Sequence, residues 1–213
     1  MVNIERLGER EILAKILAKT GALKFGYFKL TSGRESPYYI DLRIIPSDPA
    51  SFHTAIELLR GKVEKIGGKK FDKIICIPTA GIPYGAVIAY LLNKPLTYVR
   101  EEVKQHGTGK LVEGIIATGD RVLLVDDLIT TGKSLINAAR AVRVEGGMVK
   151  DAVVLIDREE GGRENLKREG IRLHACAKIS EIVREMYKMG AIERENYRSI
   201  REYLKAVRRE MLK

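Results

Sequence analysis

The chain has 213 residues, 31% of them charged, with a formal net charge of +10 at pH 7. That length suits one α/β domain with a sizeable core and leaves no room for a second large one. No run of about 18 apolar residues is present to span a membrane, and Cys76 and Cys176 form no Cys-x-x-Cys pair, which argues against a disulfide framework or a zinc site.

Lys and Arg are spread along the chain and interleaved with Glu, which favours a small anionic substrate drawn by a positive field over a nucleic-acid partner. Residues 1–6 carry no signal-peptide pattern, so the expected location is cytoplasmic, with neither membrane nor nucleic acid as partner.

In chain order, residues 4–19 place Ile4, Leu7, Ile12, Leu13, Ile16 and Leu17 on one helical face. Two short strand-like runs, 25–30 and 38–42, flank a turn rich in Ser, Gly and Pro. Asp48 followed by Pro49 predicts the start of a helix that runs to about Ile66. The pattern then alternates: strand 73–77, helix 83–92, strand 96–100, a polar loop to about Asp120, strand 122–126, helix 133–145, strand 152–157, helix 162–169 and strand 171–176. Such alternation predicts a central, mainly parallel sheet flanked by helices. The tail, 181–213, reads as two charged helices broken at Gly190, packed on the sheet or on a partner subunit.

The segment from 122 to 134 carries the chemistry. Four hydrophobics lead into Asp126 and Asp127, and Leu128, Ile129, Thr130, Thr131, Gly132, Lys133 and Ser134 follow. Carboxylates at the carboxyl end of a parallel strand sit at the lip where α/β sheets bind ligands. Small residues at a helix N-terminus offer free N–H groups to a phosphate. Successive strand side chains point to opposite faces, so the two acids are expected to do different jobs, one of them reaching the hydroxyls of a phosphorylated sugar. A nucleotide-binding P-loop is excluded because Asp127 stands where its first Gly belongs. A dinucleotide fingerprint at Gly107 is excluded because position 112 is Val.

This segment resembles the phosphoribosyl-pyrophosphate signature of type I phosphoribosyltransferases, in which the turn cradles the sugar 5-phosphate. Three further motifs resemble the orotate phosphoribosyltransferases: 28–41, Arg100 with Lys104, His106 and Gly107, and 157–161. Together they cover about residues 20 to 165 in that family's order. The resemblance implies a single phosphoribosyltransferase domain over 1–213, with an N-terminal helix and hood to about residue 45 and a helical basic tail.

The implied substrates are orotate and phosphoribosyl pyrophosphate, with Mg²⁺ as cofactor and no protein ligand to it. Lys104, His106, Asp126 and Asp127 are the implied catalytic residues. Arg100, Lys104, His106 and the run from Asp126 through Leu128, Ile129, Thr130, Thr131, Gly132 and Lys133 to Ser134 would bind the donor. Thr130 and Arg158 would bind orotate, an Arg fork matching a carboxylate bidentately. The resemblance also implies a homodimer whose loop reaches the neighbouring site.

Two positions depart from the pattern: Glu101 replaces a second Lys, and Thr31 stands where many members carry Lys. Lys29, two residues earlier on the same strand face, is expected to substitute in part for the latter. The loop 78–81 is small and contains Gly81, as a loop approaching pyrophosphate requires. A purine phosphoribosyltransferase would share the 126–134 run but gives no reason for Arg158 or the Arg/Lys/His loop. A DNA-binding regulator on the same fold would need a helix-turn-helix, and residues 1–24 offer one amphipathic helix.

Overall fold

The structure, a computed structural model, describes residues 7–29, 33–100 and 111–211. Its centre is a seven-stranded sheet built from β3 (Lys73–Cys76), β4 (Leu96–Val99), β5 (Val112–Glu113), β6 (Arg121–Val125), β7 (Leu128–Ile129), β8 (Met148–Asp157) and β9 (Arg172–Lys178). From one edge the order is β5, β4, β3, β6, β8, β9, with short β7 continuing beside the end of β8. All pairings are parallel except β4 with β5. A parallel sheet covered on both faces needs near-continuous apolar strands, as β6 supplies with Val122, Leu123, Leu124 and Val125.

Alternation along the strands divides the core into two. Ile74, Cys76, Leu123, Val125, Val153 and Leu155 face one layer; Ile75, Ile77, Val122, Leu124, Ala152 and Val154 face the other. The first layer holds α1 (Glu9–Thr20), α2 (Pro49–Ile66), α3 (Gly81–Leu91), α6 (Ile179–Lys188) and α7 (Arg194–Met211). The second holds α4 (Lys133–Val144) and α5 (Gly162–Arg168). Each fully buried Leu or Ile contributes about 1.5–3 kcal/mol relative to exposure.

A two-stranded antiparallel hood, β1 (Leu23–Lys29) and β2 (Glu35–Ile40), sits on the first layer. Tyr38 of β2 is fully buried there. A 3-10 turn at Leu42–Ser47 joins the hood to α2, whose N-terminus is capped by Asp48 accepting from Ser51 N at 3.2 Å, with Pro49 in the first turn.

The sequence expectations for α2, β3, β4, β6, α4 and α5 agree with the structure to within a few residues. Other features differ: α1 starts at Glu9, with Leu7 and Gly8 outside the helix, and β2 starts at Glu35, inside the run expected to turn. β5 forms inside the long polar loop, β7 forms inside the run from Asp126 to Ser134, and β8 starts at Met148 rather than 152. The tail breaks at Gly190 as expected, in the left-handed region with φ 71°, and its first helix begins at Ile179.

Candidate active site

The carboxyl ends of β3 and β6 meet at a cleft of about 240 Å³. It is lined by Ile77, Pro78, Ala80 and the continuous run from Asp126 to Leu135. The sheet is parallel here, so the loops after adjacent strands open on the same side. Gly132, with φ 80°, makes the left-handed bend that starts α4. The N–H groups of Thr131 to Leu135 have no hydrogen-bond partner among the described residues; the first helical bond runs from Ile136 N to Gly132 O at 2.9 Å. These donors and the positive end of α4 suit a phosphate dianion.

The floor of the cleft is acidic. Asp126 and Asp127 are 8% and 7% exposed. Asp126 Oδ1 accepts from Asp127 N at 2.9 Å, and Asp127 Oδ1 accepts from Leu128 N at 2.8 Å. Burial drives the Asp126 carboxyl well above the usual range, and the Asp127 charge adds to it; burial raises Asp127 as well. The two acids have different surroundings. Asp126 lies against Gly81, where a Cβ would come within 2.7 Å of Oδ1. Asp127 lies electrostatically near Asp41 and Tyr84.

A second group of residues braces the turn from behind. Asn165 Nδ2 donates to Thr131 O at 3.0 Å, and Arg158 N donates to Ile129 O at 3.0 Å. Asp157 holds the following loop through Glu159 N at 2.9 Å and Arg163 Nε at 3.1 Å. These braces come from residues 157–165, so that motif supports the turn at 129–131 directly.

A phosphoribosyl transferase domain matches residues 44–174. Orotate phosphoribosyltransferase of Pyrobaculum aerophilum is 45% identical over 193 residues, covering 90% of this chain and 97% of that one. The chain belongs to the orotate phosphoribosyltransferase family. Among solved structures, orotate phosphoribosyltransferase from Aeropyrum pernix superposes with a TM-score of 0.72 at 38% identity, over 84% of this chain and 99% of that chain. UMP synthase of Leishmania donovani gives a TM-score of 0.84 at 33% identity, over 93% of this chain and 43% of that chain.

Within this orotate phosphoribosyltransferase fold, Asp126, Asp127, Leu128, Ile129, Thr130, Thr131, Gly132, Lys133 and Ser134 come together in one cleft, as the sequence led us to expect. Arg100 lines an adjoining cavity of about 620 Å³ with Lys133 and Ser134, and its Nε pairs with Glu113 across β4 and β5. Lys29 ends β1 on an exposed part of the hood and does not line that cleft. Lys104, His106, Glu101 and Thr31 lie outside the described residues.

Arg158 is placed differently from the rest. Its side chain is buried beneath the hood, 4% exposed, with its guanidinium 4.9 Å from the Tyr38 ring. Nη2 lies 2.7 Å from Glu160 Oε1, but without the alignment of a hydrogen bond. Burial lowers the Arg158 pKa, but Tyr38 and Glu160 outweigh it, so the net shift is upward and the group stays charged. Sequence reasoning missed the partners of this residue. Glu160 stood in the quoted motif without a role, and Tyr203 of α7, packed edge-on to Tyr38 at 5.8 Å, carried no local signal.

Proposed function

We infer that the chain is an orotate phosphoribosyltransferase in activity as well as family. It moves ribose 5-phosphate from phosphoribosyl pyrophosphate to N1 of orotate, giving orotidine 5′-monophosphate and pyrophosphate in pyrimidine biosynthesis. The observation that carries this reading is the cleft itself, where unpartnered N–H groups of Thr131 to Leu135 lie beside two buried carboxylates. A phosphate and a sugar's hydroxyls need those two kinds of group, side by side.

Residue roles follow from the chemistry. Thr131 to Ser134 hold the 5-phosphate, and Asp126 and Asp127 accept from the ribose hydroxyls. Breaking the C1–O bond leaves an oxocarbenium-like sugar, so the protein's work is to align both reactants and offset the leaving group's charge. Arg100, Lys104 and His106 serve that second purpose in our reading, and Thr130 and Arg158 hold the acceptor. Asp126 and Asp127 are hard oxygen donors, the type Mg²⁺ takes, and an ion arriving with the donor's phosphates needs no further protein cage. When bound it supplies charge neutralisation on the pyrophosphate.

A second copy of the chain is the expected partner. Tyr90 and Leu91 of α3 and Leu96 and Tyr98 of β4 are exposed at 85%, 46%, 42% and 41%, an apolar face suited to an interface. No helix among the described residues is long and apolar enough to cross a membrane.

The test is orotate consumption with phosphoribosyl pyrophosphate and Mg²⁺, run beside adenine and hypoxanthine. Turnover of orotate alone supports the assignment; turnover of a purine and not orotate overturns it.

A further inference from the structure

The Arg158 guanidinium is buried, and part of its hydrogen-bonding capacity is unspent. Nε and Nη2 are both buried without a hydrogen-bond partner among the described residues. These two nitrogens share one edge of the guanidinium, the fork that takes both oxygens of a single carboxylate. Glu160 is close enough to balance the charge at 2.7 Å, yet it leaves the fork unfilled.

Tyr38 and Glu160 lie against this fork, and Tyr203 backs Tyr38. Tyr38 stacks on the guanidinium, and its hydroxyl donates to Glu160 Oε1 at 3.4 Å. Tyr203 packs against the Tyr38 ring from α7. The end of α7 is tied across the hood, with Arg34 Nη2 2.9 Å from Glu210 Oε2. Met211 Sδ lies 3.0 Å from where a Cβ on Gly161 would stand. The C-terminal helix therefore touches both the hood and the loop that carries Arg158.

We propose that α7 is a working wall of the acceptor subsite: Tyr203, acting through the Tyr38 ring, positions the Arg158 fork for the acceptor's carboxylate. This rests on the reading of Arg158 given above. A guanidinium on a flexible stem, left open to water, would turn to satisfy its own donors. The aromatic wall denies it water and prevents full pairing with Glu160, so the donors stay available. In this low-dielectric setting a carboxylate and a guanidinium attract far more strongly than in water. The arriving carboxylate displaces side-chain contacts at this wall, and a base lacking the carboxylate gains nothing from doing so. Tyr203 is thus a positioning and specificity residue.

The experiment is steady-state kinetics of Tyr203→Ala, Tyr203→Phe and Arg158→Ala, varying orotate and phosphoribosyl pyrophosphate separately. Tyr203→Ala is expected to raise the orotate KM about tenfold, the size of one impaired charge-assisted hydrogen bond. The donor KM should stay unchanged, and Tyr203→Phe should restore the orotate value. An unchanged orotate KM, or both constants rising together, overturns the proposal. Should Tyr203→Ala fail to fold by circular dichroism, Tyr203→Leu carries the same test with the apolar bulk retained. Arg158→Ala separates the two readings. If it leaves the orotate KM alone, the assignment of Arg158 fails; if it raises that KM while the Tyr203 variants are silent, only the role of α7 fails.

Discussion

Gly162 lies so near Thr130 that a Cβ built on it would come within 2.6 Å of the Thr130 carbonyl oxygen, and within 2.5 Å of Ile129 Cγ1. The start of α5 is thus pressed against the back of the turn that leads into α4, with Asn165 holding Thr131 beside it. Gly162→Ala should push the turn forward, costing on the order of 1–3 kcal/mol of stability, as overpacking does. It should also raise the donor KM more than the orotate KM. Thermal melts and the two KM values check this, and a variant equal to wild type in both would show that the turn has slack.

Asp126 and Asp127 make opposite demands on stability and function. Their carboxyls are raised by burial, so the unfolded chain ionises before the folded one as pH climbs. The folded state then binds more protons, and stability falls as pH rises from the usual carboxylate range through the raised values. Asp126→Asn keeps an oxygen for the Asp127 N–H while removing the buried charge. The variant should melt above wild type at pH 7, with the gap closing towards pH 4, and should lose donor binding. In wild type, acidification should weaken donor binding at a higher pH than an ordinary carboxylate would. A lower melting temperature for the variant at pH 7 would contradict this.

Cys76 and Cys176 are 1% and 7% exposed, and burial pushes both thiols up to about 12. Thiolate is the reactive form, so neither should alkylate readily in the native protein at neutral pH. Mass spectrometry after iodoacetamide should find both unmodified until denaturant is added. Rapid native labelling of Cys76 would mean that β3 opens beneath the cleft.

The exposed face of α3 and β4 gives a test of assembly. If two copies pair through this face, Tyr90→Glu with Leu96→Glu should lower the sedimenting mass to that of a monomer, and an unchanged mass would remove this face from assembly. Lys104→Ala should lower turnover by about 10²-fold, the loss typical of one charge-stabilising donor. If the loop serves the neighbouring subunit, mixing Lys104→Ala with Asp126→Asn should restore part of the activity through hybrid dimers. No recovery on mixing would place each loop at its own subunit's cleft.

Much of the fold was legible because local chemistry and tertiary need agree. The Asp48 cap, the four hydrophobics of β6 and the Gly132 bend each specify their structure within a few residues. β5 and β7 were not legible, because strands of two residues leave no period to detect. The cleft from Asp126 to Ser134 could be read because it is one continuous segment. The surroundings of Arg158 could not, since Tyr38, Glu160 and Tyr203 are joined only by the fold, and α7 reads on its own as a charged surface helix. Lys29 was expected to substitute in part for the Lys that many members carry where Thr31 stands; the structure places it at the exposed end of β1.

The most direct test is a crystal structure of the protein with phosphoribosyl pyrophosphate and Mg²⁺. The 5-phosphate should lie within hydrogen-bond distance of the N–H groups of Thr131 to Ser134, with the ribose hydroxyls facing Asp126 and Asp127. A donor bound elsewhere, with that turn contacting only solvent, would contradict it.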